Sequence, residues 1–306
     1  MLGTKSFEDI EISTKTVIGK SNWKINITDL FNILPITDYI VLPRKRGRRP
    51  KNEKPIEPQI PLDGSIVTLK FKDKLRGVNL KGPKKSSKGP FRNSLTVVMY
   101  VDSKFINVKL SKNGTFQCTG TKTESNLENF IRYIYQYTIL SKNTKALTIN
   151  TNPCFVTEIL TSPQILLSSV MTNINFNIGF NVNRECLDEY INNNTELYSL
   201  LETSFGYTGV NIKIPLVDMN DIPVIKMVYI NDEWVSTKIT YETYISMMDE
   251  KDKKKEMSKV RYNTFLVFQS GNVILSSPHK NCMKNVFKNF GEVIEECRGL
   301  IEEKLF

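Results

Sequence analysis

A single histidine, His279, occurs in the 306 residues of this chain. Histidine-based triads and His-rich metal sites therefore have almost nothing to be built from. Cysteine is nearly as uninformative: Cys118, Cys154, Cys186, Cys282 and Cys297 are scattered, odd in number and form no CxxC pair. That spacing argues against a disulfide framework or a zinc knuckle and for a reducing compartment. No apolar run approaches the roughly 20 residues a membrane span needs, and the opening MLGTKSFEDIEIS lacks the basic-then-apolar layout of a signal peptide. Gly82-Pro83-Lys84-Lys85 is a basic loop, not a phosphate loop of the Walker type. No acidic pair has metal-binding spacing. These absences predict a soluble, intracellular chain that is no enzyme and takes no cofactor and no metal.

What the chain does have is positive charge. Lys and Arg number 42 against 32 Asp and Glu, a net charge of +10. Such a balance favours a polyanionic partner, nucleic acid before an anionic membrane surface, with solubility alone as the competing reading. Hydrophobic content of 40% is ample for a core. The basic residues are densest in VLPRKRGRRPKNEKPIEPQIP, residues 41–61, where five prolines and seven basic residues predict a loop or extended arm.

Periodicity places strands at Ile12–Ile18 and at SIVTLKFK, SLTVVMYV and FINVKLSKNGTFQCTG, with a short helix, DLFNIL, capped by Thr28 or Asp29. A longer helix follows Gly120. There Ser125 and Glu128 have capping-box spacing, and Leu127, Phe130, Ile131, Ile134 and Tyr137 share a face. The order then recurs. ILLSSVMTNINFNIGF reads as a strand, Asn183 caps RECLDEYI, and strands follow at GVNIKIPL, PVIKMVYI and FLVFQSGNVILSS. A last helix starting at Ser277-Pro278 carries the stripe Cys282, Met283, Val286, Phe287, Phe290, Val293, Ile294 and Cys297. His279 falls at a surface position in its first turn.

Two local matches strengthen this parallel. Leu75-Arg76-Gly77-Val78-Asn79-Leu80-Lys81 matches Tyr207-Thr208-Gly209-Val210-Asn211-Ile212-Lys213, and VKLSKNGTFQCTG aligns with LVFQSGNVILSS around Gly114 and Gly271. The expected organisation is one unit over 1–150 with the basic insertion 41–61, a connector at 151–164, and a second unit over 165–306 with a charged insertion at 236–260. One stretch stands out, RYNTFLVFQSGNVILSS. Gly271-Asn272 marks a hairpin turn, yet Phe265–Phe268 would make both faces of its first strand apolar, where antiparallel hairpins normally give one face to water.

These hairpin-to-helix junctions resemble the TATA-box-binding protein family, in the divergent form carried by large DNA viruses. That family places an aromatic residue, Ser-Gly, a short apolar strand and Thr-Gly ahead of a long amphipathic helix in each half. The counterparts are Phe268-Gln269-Ser270-Gly271 with Val273–Ser277, and Ser111-Lys112-Asn113-Gly114 with Phe116–Gly120. The resemblance implies an α+β saddle: two pseudo-symmetric repeats of curved antiparallel sheet, long helices on the convex face, and DNA on the concave one. It would explain the second apolar face of Phe265–Phe268 as a minor-groove platform.

Residue by residue, the resemblance makes Phe268 and Tyr207 the intercalating pair of the second half, with Leu75 and Ser111 at the corresponding places of the first. Ser111 cannot act as a wedge, which implies a lopsided bend. Thr119 and Ser276 take the positions that face base edges, with Gln117 and Ile274 beside them on the same face. Thr14 and Ser169 fall near the family's first-strand asparagines. Lys81, Lys109, Lys112 and Lys213 are candidate phosphate contacts, against the alternative of solvated surface lysines. Arg46, Arg48 and Arg49, around Gly47 and Pro50, resemble an AT-hook core with one extra arginine; a nuclear-targeting segment or phosphate tether has the same composition. The implied function is a monomeric transcription initiation factor that binds and bends A/T-rich double-stranded promoter DNA. It would recruit a transcription factor IIB-like protein and RNA polymerase in the host nucleus or a cytoplasmic viral factory, with packaging in the virion a further option. The alternative is a protein-interaction module of the same fold with weak or nonspecific DNA binding.

Overall fold

The structure is a computed structural model that describes residues 6–40, 60–80, 93–141, 145–150, 155, 161–202, 209–220 and 222–303. In chain order the first half has β1 (Ile12–Ser21), β2 (Trp23–Ile25), α1 (Ile27–Ile33), β3 (Ile66–Phe71), β4 (Lys74–Gly77), β5 (Ser94–Val101), β6 (Lys104–Ser111), β7 (Thr115–Thr121), α2 (Ser125–Leu140) and β8 (Leu147–Ile149). There follow β9 (Gln164–Asn177), α3 (Arg184–Asn194), β10 (Tyr198–Glu202), β11 (Gly209–Pro215), β12 (Val224–Ile230), β13 (Glu233–Ile239), α4 (Tyr241–Ser246), α5 (Glu250–Met257), β14 (Tyr262–Phe268), β15 (Asn272–Ser277) and α6 (Lys284–Ile301).

The fold is α+β, with a large antiparallel sheet and several helices. The sheet runs β10-β11-β14-β15-β9-β1-β7-β6-β5-β3-β4, with the β12–β13 hairpin joined to β9; β2 and β8 pair separately. Alternation explains the layering. In β5 Leu95, Val97, Met99 and Val101 are buried while Ser94, Thr96, Val98 and Tyr100 are only partly so, and β6 continues with Ile106, Val108 and Leu110. The buried set meets Leu127, Phe130, Ile131 and Ile134 of α2 and Leu30 and Phe31 of α1. A second core joins β9, β11, β14 and β15 to Leu187 and Ile191 of α3 and Phe290, Ile294 and Cys297 of α6. α1, α2, α3 and α6 thus cover one face of the sheet.

Several local expectations need correction. Asn26, not Thr28 or Asp29, caps α1 by accepting from the Asp29 amide at 3.3 Å. The capping box at Ser125 and Glu128 does not form, because Ser125 is already helical and Glu128 instead accepts from Ser236 of β13 at 2.7 Å. A 3-10 turn, Lys280–Met283, precedes α6, so that helix begins later than Pro278 implied. Asn183 does cap α3, accepting from Cys186 N at 3.1 Å.

Between β11 and β14 the chain adds more than its charged run. The β12–β13 hairpin and α4 build a third core of Ile222, Val224, Tyr241, Tyr244 and Met248 on Leu166 and Phe155, and α5 follows. Trp234 of this hairpin packs edge-on to Trp23 at 6.0 Å and to Tyr135 of α2 at 5.3 Å, which fastens the added elements to the first half.

Candidate nucleic-acid interface

Strand pairing assigns the second face of the sheet residue by residue. In the second half Phe265 and Val267 point to the helices, where Phe265 stacks on Phe290 with ring centroids 4.2 Å apart. Leu266 and Phe268 therefore point away from them. Leu266 lies between Asn211 and Ile274, Phe268 beside Gly209, and Thr264 between Lys213 and Ser276. All of these except buried Gly209 remain partly or fully exposed. Tyr198 and Leu200 extend the strip on β10 opposite Lys213 and Asn211. This answers the puzzle of the doubly apolar strand, since its second apolar face is left uncovered by α1, α2, α3 and α6.

In the first half the same face carries Ser94 beside Ser111, Lys109 between Thr96 and Gln117, and Thr119 between Asn107 and Thr16. Ile18 completes the row beside Gln117. The two hairpins have the same turn. Gly114 N donates to Ser111 O at 3.1 Å with φ +76°, and Gly271 N donates to Phe268 O at 2.9 Å with φ +74°. Each glycine carbonyl then accepts from the end of the half's first strand, Ser21 N, the last residue of β1, at 3.0 Å and Ile178 N, just past β9, at 2.9 Å. The side chains differ sharply. Where the second half has Phe268, Leu266 and Ile274, the first has Ser111, Lys109 and Gln117. The polar set lines a hollow of about 410 Å³ with Ile18, Asn93, Ser94 and Thr115.

The open face thus brings together Phe268, Ser111, Gln117, Thr119, Ile274, Ser276, Lys109 and Lys213, while exposed Lys112 stands on the turn at its rim. Leu75 is also on this face, 48% exposed opposite Lys70, but it belongs to the edge strand β4. Its supposed equivalence to Tyr207 fails. Gly77 ends that edge strand, whereas Gly209 opens the interior strand β11, so the seven-residue match is not a topological one. Ser169 also fails. A bulge that leaves Val170 unpaired turns Ser169 inward beside Val17, while Thr14 meets Asn173 on the open face. Tyr207, Lys81, Arg46, Arg48 and Arg49 lie outside the described residues.

Sequence reasoning missed Asn173 and Asn211. Both sit on the open face, and each has a buried Oδ1 with no hydrogen-bond partner. Unpaired buried acceptors are uncommon in folded proteins. The alternation in MTNINF was the available signal for Asn173. Lys20, also on this face, lies 3.6 Å from Asp252 of α5 and near the Tyr244 ring of α4, so the added elements wall one end of the face. Among the described residues no group of three or more His, Cys, Asp or Glu is placed to hold a metal, and no helix is long and apolar enough to cross a membrane.

No family model matches the chain. It is 28% identical over 220 residues, 69% of its length, to the uncharacterized protein 335L of Invertebrate iridescent virus 6, and spans 62% of that relative's length. Methanococcus jannaschii TBP is a solved structure similar to it at 12% identity and a TM-score of 0.42, over 94% of this chain and 98% of the other.

Proposed function

We propose that this chain is a TATA-box-binding-like, non-enzymatic DNA-binding factor of viral transcription initiation, shaped as a pseudo-twofold saddle about the β1–β9 pair. The observation that carries this reading is the open face: an apolar strip of Leu266, Phe268 and Ile274 that the four packed helices leave uncovered, on a chain of net charge +10. An apolar sheet surface reads a widened minor groove by shape and A·T content, because that groove offers a degenerate pattern of donors and acceptors. Phe268 supplies the wedge. Unstacking one base step requires a few kcal/mol, which added contact on the bent duplex offsets. Thr119 and Ser276 address base edges near the centre, and Lys213 and Lys112 the phosphates. Ser111 in place of a second aromatic makes the bend lopsided. The two matching hairpin turns support the pseudo-symmetric arrangement, and the viral relative agrees with the viral setting. Recruitment of a factor-IIB-like protein and polymerase is part of the proposal.

Energy-transfer bending measurements on an A·T-rich duplex and a G·C-rich control, each at two salt concentrations, test it. Bending with A·T preference supports the reading. Binding that is steep in salt, straight and indifferent to sequence would sink it, leaving only phosphate neutralisation. In that case the open face serves as a protein-docking surface, a reading favoured by the serine at position 111.

A further inference from the structure

The hollow on the first half of the open face is the least explained feature of the proposed interface. It exists because serine occupies position 111, the register position at which the second half carries Phe268. Ser94 and Ser111 face each other across β5 and β6, and Lys109 and Gln117 across β6 and β7. At about 410 Å³, its volume falls in the range of roughly 300–1,000 Å³ usual for small-ligand pockets. The lining is also selective. Asn93 and Gln117 present amides that combine a donor with an acceptor, and Ser94, Ser111 and Thr115 present hydroxyls. Ile18 is the apolar residue of the lining.

Thr115 also lines a second, adjoining groove of about 510 Å³, together with Lys20, Asn113, Lys251, Lys255 and Lys259. That groove contains carboxylates, but each already has a partner. Asp249 accepts from Asp252 N at 2.7 Å, Asp252 lies 3.6 Å from Lys20, and Glu256 accepts from Tyr241 at 2.9 Å and Lys259 at 2.7 Å. A pocket with amide edges beside a lysine-lined groove matches the two ends of one chemical unit, a nucleobase and its phosphate.

Building on the DNA-binding reading, we propose that the first half of the open face captures one unstacked nucleotide of the bound DNA. The base enters the hollow against Ile18, Asn93 and Gln117, and its phosphate lies toward Lys251 and Lys255. One half would then wedge a base step open with Phe268 while the other receives a base. Extrusion from a duplex requires a few kcal/mol, least where pairing is already weak, which favours A·T steps and mismatches.

The test uses the full chain and duplexes with a single 2-aminopurine moved step by step through an A·T-rich site. Its emission rises when the base leaves the stack. The expected result is enhancement at one register only. Ser111→Phe, which fills the hollow with the residue the other half carries, removes that enhancement. Gln117→Ala reduces capture about tenfold by deleting a paired amide, and Ser111→Thr preserves it. Thermal melts establish that each variant is folded. Binding and bending without enhancement at any register, or enhancement that survives Ser111→Phe, would overturn capture and leave the DNA-binding reading standing. Absence of any duplex binding would overturn both. Binding of free 2-aminopurine nucleotide, read by fluorescence anisotropy, without enhancement at any register of the duplex would also overturn capture from DNA, and would make the hollow a small-molecule site.

Discussion

Ser111 and Phe268 end their strands at the same turn, each offering its carbonyl to the amide of a left-handed glycine, at 3.1 Å from Gly114 and 2.9 Å from Gly271. The backbone around them is alike and their side chains are opposites. One leaves a hollow on the open face and the other fills its surroundings with an aromatic ring. Function on this face is therefore expected to be asymmetric.

Phe268→Ala removes a partly exposed ring that takes no part in any of the three hydrophobic cores. Stability should change by less than about 1 kcal/mol, while affinity for A·T-rich duplex falls on the order of tenfold to a hundredfold and bending is lost. Energy-transfer titration beside a thermal melt checks this. A large loss of stability with unchanged bending would assign Phe268 to the core instead.

Glycine substitutions should sort by what a side chain would meet. A Cβ on Gly271 would lie 2.1 Å from Phe180 O, and one on Gly114 would lie 2.3 Å from Trp23 O, both at positive φ. Gly120 has φ +81° with nothing within 4 Å. Gly120→Ala should lose only the roughly 1–2 kcal/mol of left-handed backbone strain, whereas Gly114→Ala and Gly271→Ala should lose clearly more, because backbone must move. Denaturant melts of the three variants give the ranking.

The hairpin of the added elements is fastened by rings. Trp234 contacts Trp23, Tyr135 and Tyr229 with centroids 6.0, 5.3 and 5.4 Å away. Trp234→Ala should destabilise by about 3 kcal/mol, the low end for aromatic-to-alanine changes. It should also speed hydrogen exchange in β12 and β13 before the rest of the sheet. Uniform acceleration across the sheet would contradict a separately fastened hairpin.

His279 is half-buried rather than on the surface, and its Nδ1 accepts from the Asn281 amide at 3.3 Å. Burial first, and then the nearby Lys15 ammonium, lower its pKa below the usual 6.5, with Lys238 adding to this and Glu124 opposing it. Although burial opposes ionisation of Glu124, its hydrogen bond with Lys15 keeps that carboxyl below the ordinary carboxylate range, so it stays charged across this window. The unfolded chain then binds more protons than the folded one below about pH 6.5, and stability falls as pH drops through that value. His279→Asn keeps an acceptor for the Asn281 amide and removes the titration. Its melting temperature should fall less than wild type between about pH 7.5 and 5.5.

Much of the architecture was written in local pattern. The period-2 runs of β5, β6 and β7, the stripes of α2 and α6 and the Asn183 cap come from neighbours close in sequence, and the structure contains each of them. The strand Phe265–Phe268 already announced a second apolar face, because no single buried layer needs four apolar residues in a row. The chain itself also determined the +10 charge and the serine at position 111.

Other features depended on partners distant in sequence, which periodicity does not register. The bulge that leaves Val170 unpaired decides that Ser169 faces inward and Asn173 outward, and only pairing with β1 reveals it. The stretches starting at Leu75 and Tyr207 share Gly, Val, Asn and Lys at four of seven positions, yet sheet order puts β4 at an edge and β11 inside. The run EKDKKKEM reads as a solvated charge cluster. Its helix is capped locally by Asp249, but Tyr241, Arg261 and Lys20 fix its place against the open face by engaging Glu256 and Asp252. Composition and spacing determined which side chains were available and which strands they alternate on; cross-strand register, which sums contacts over the whole sheet, decided which of them share a surface.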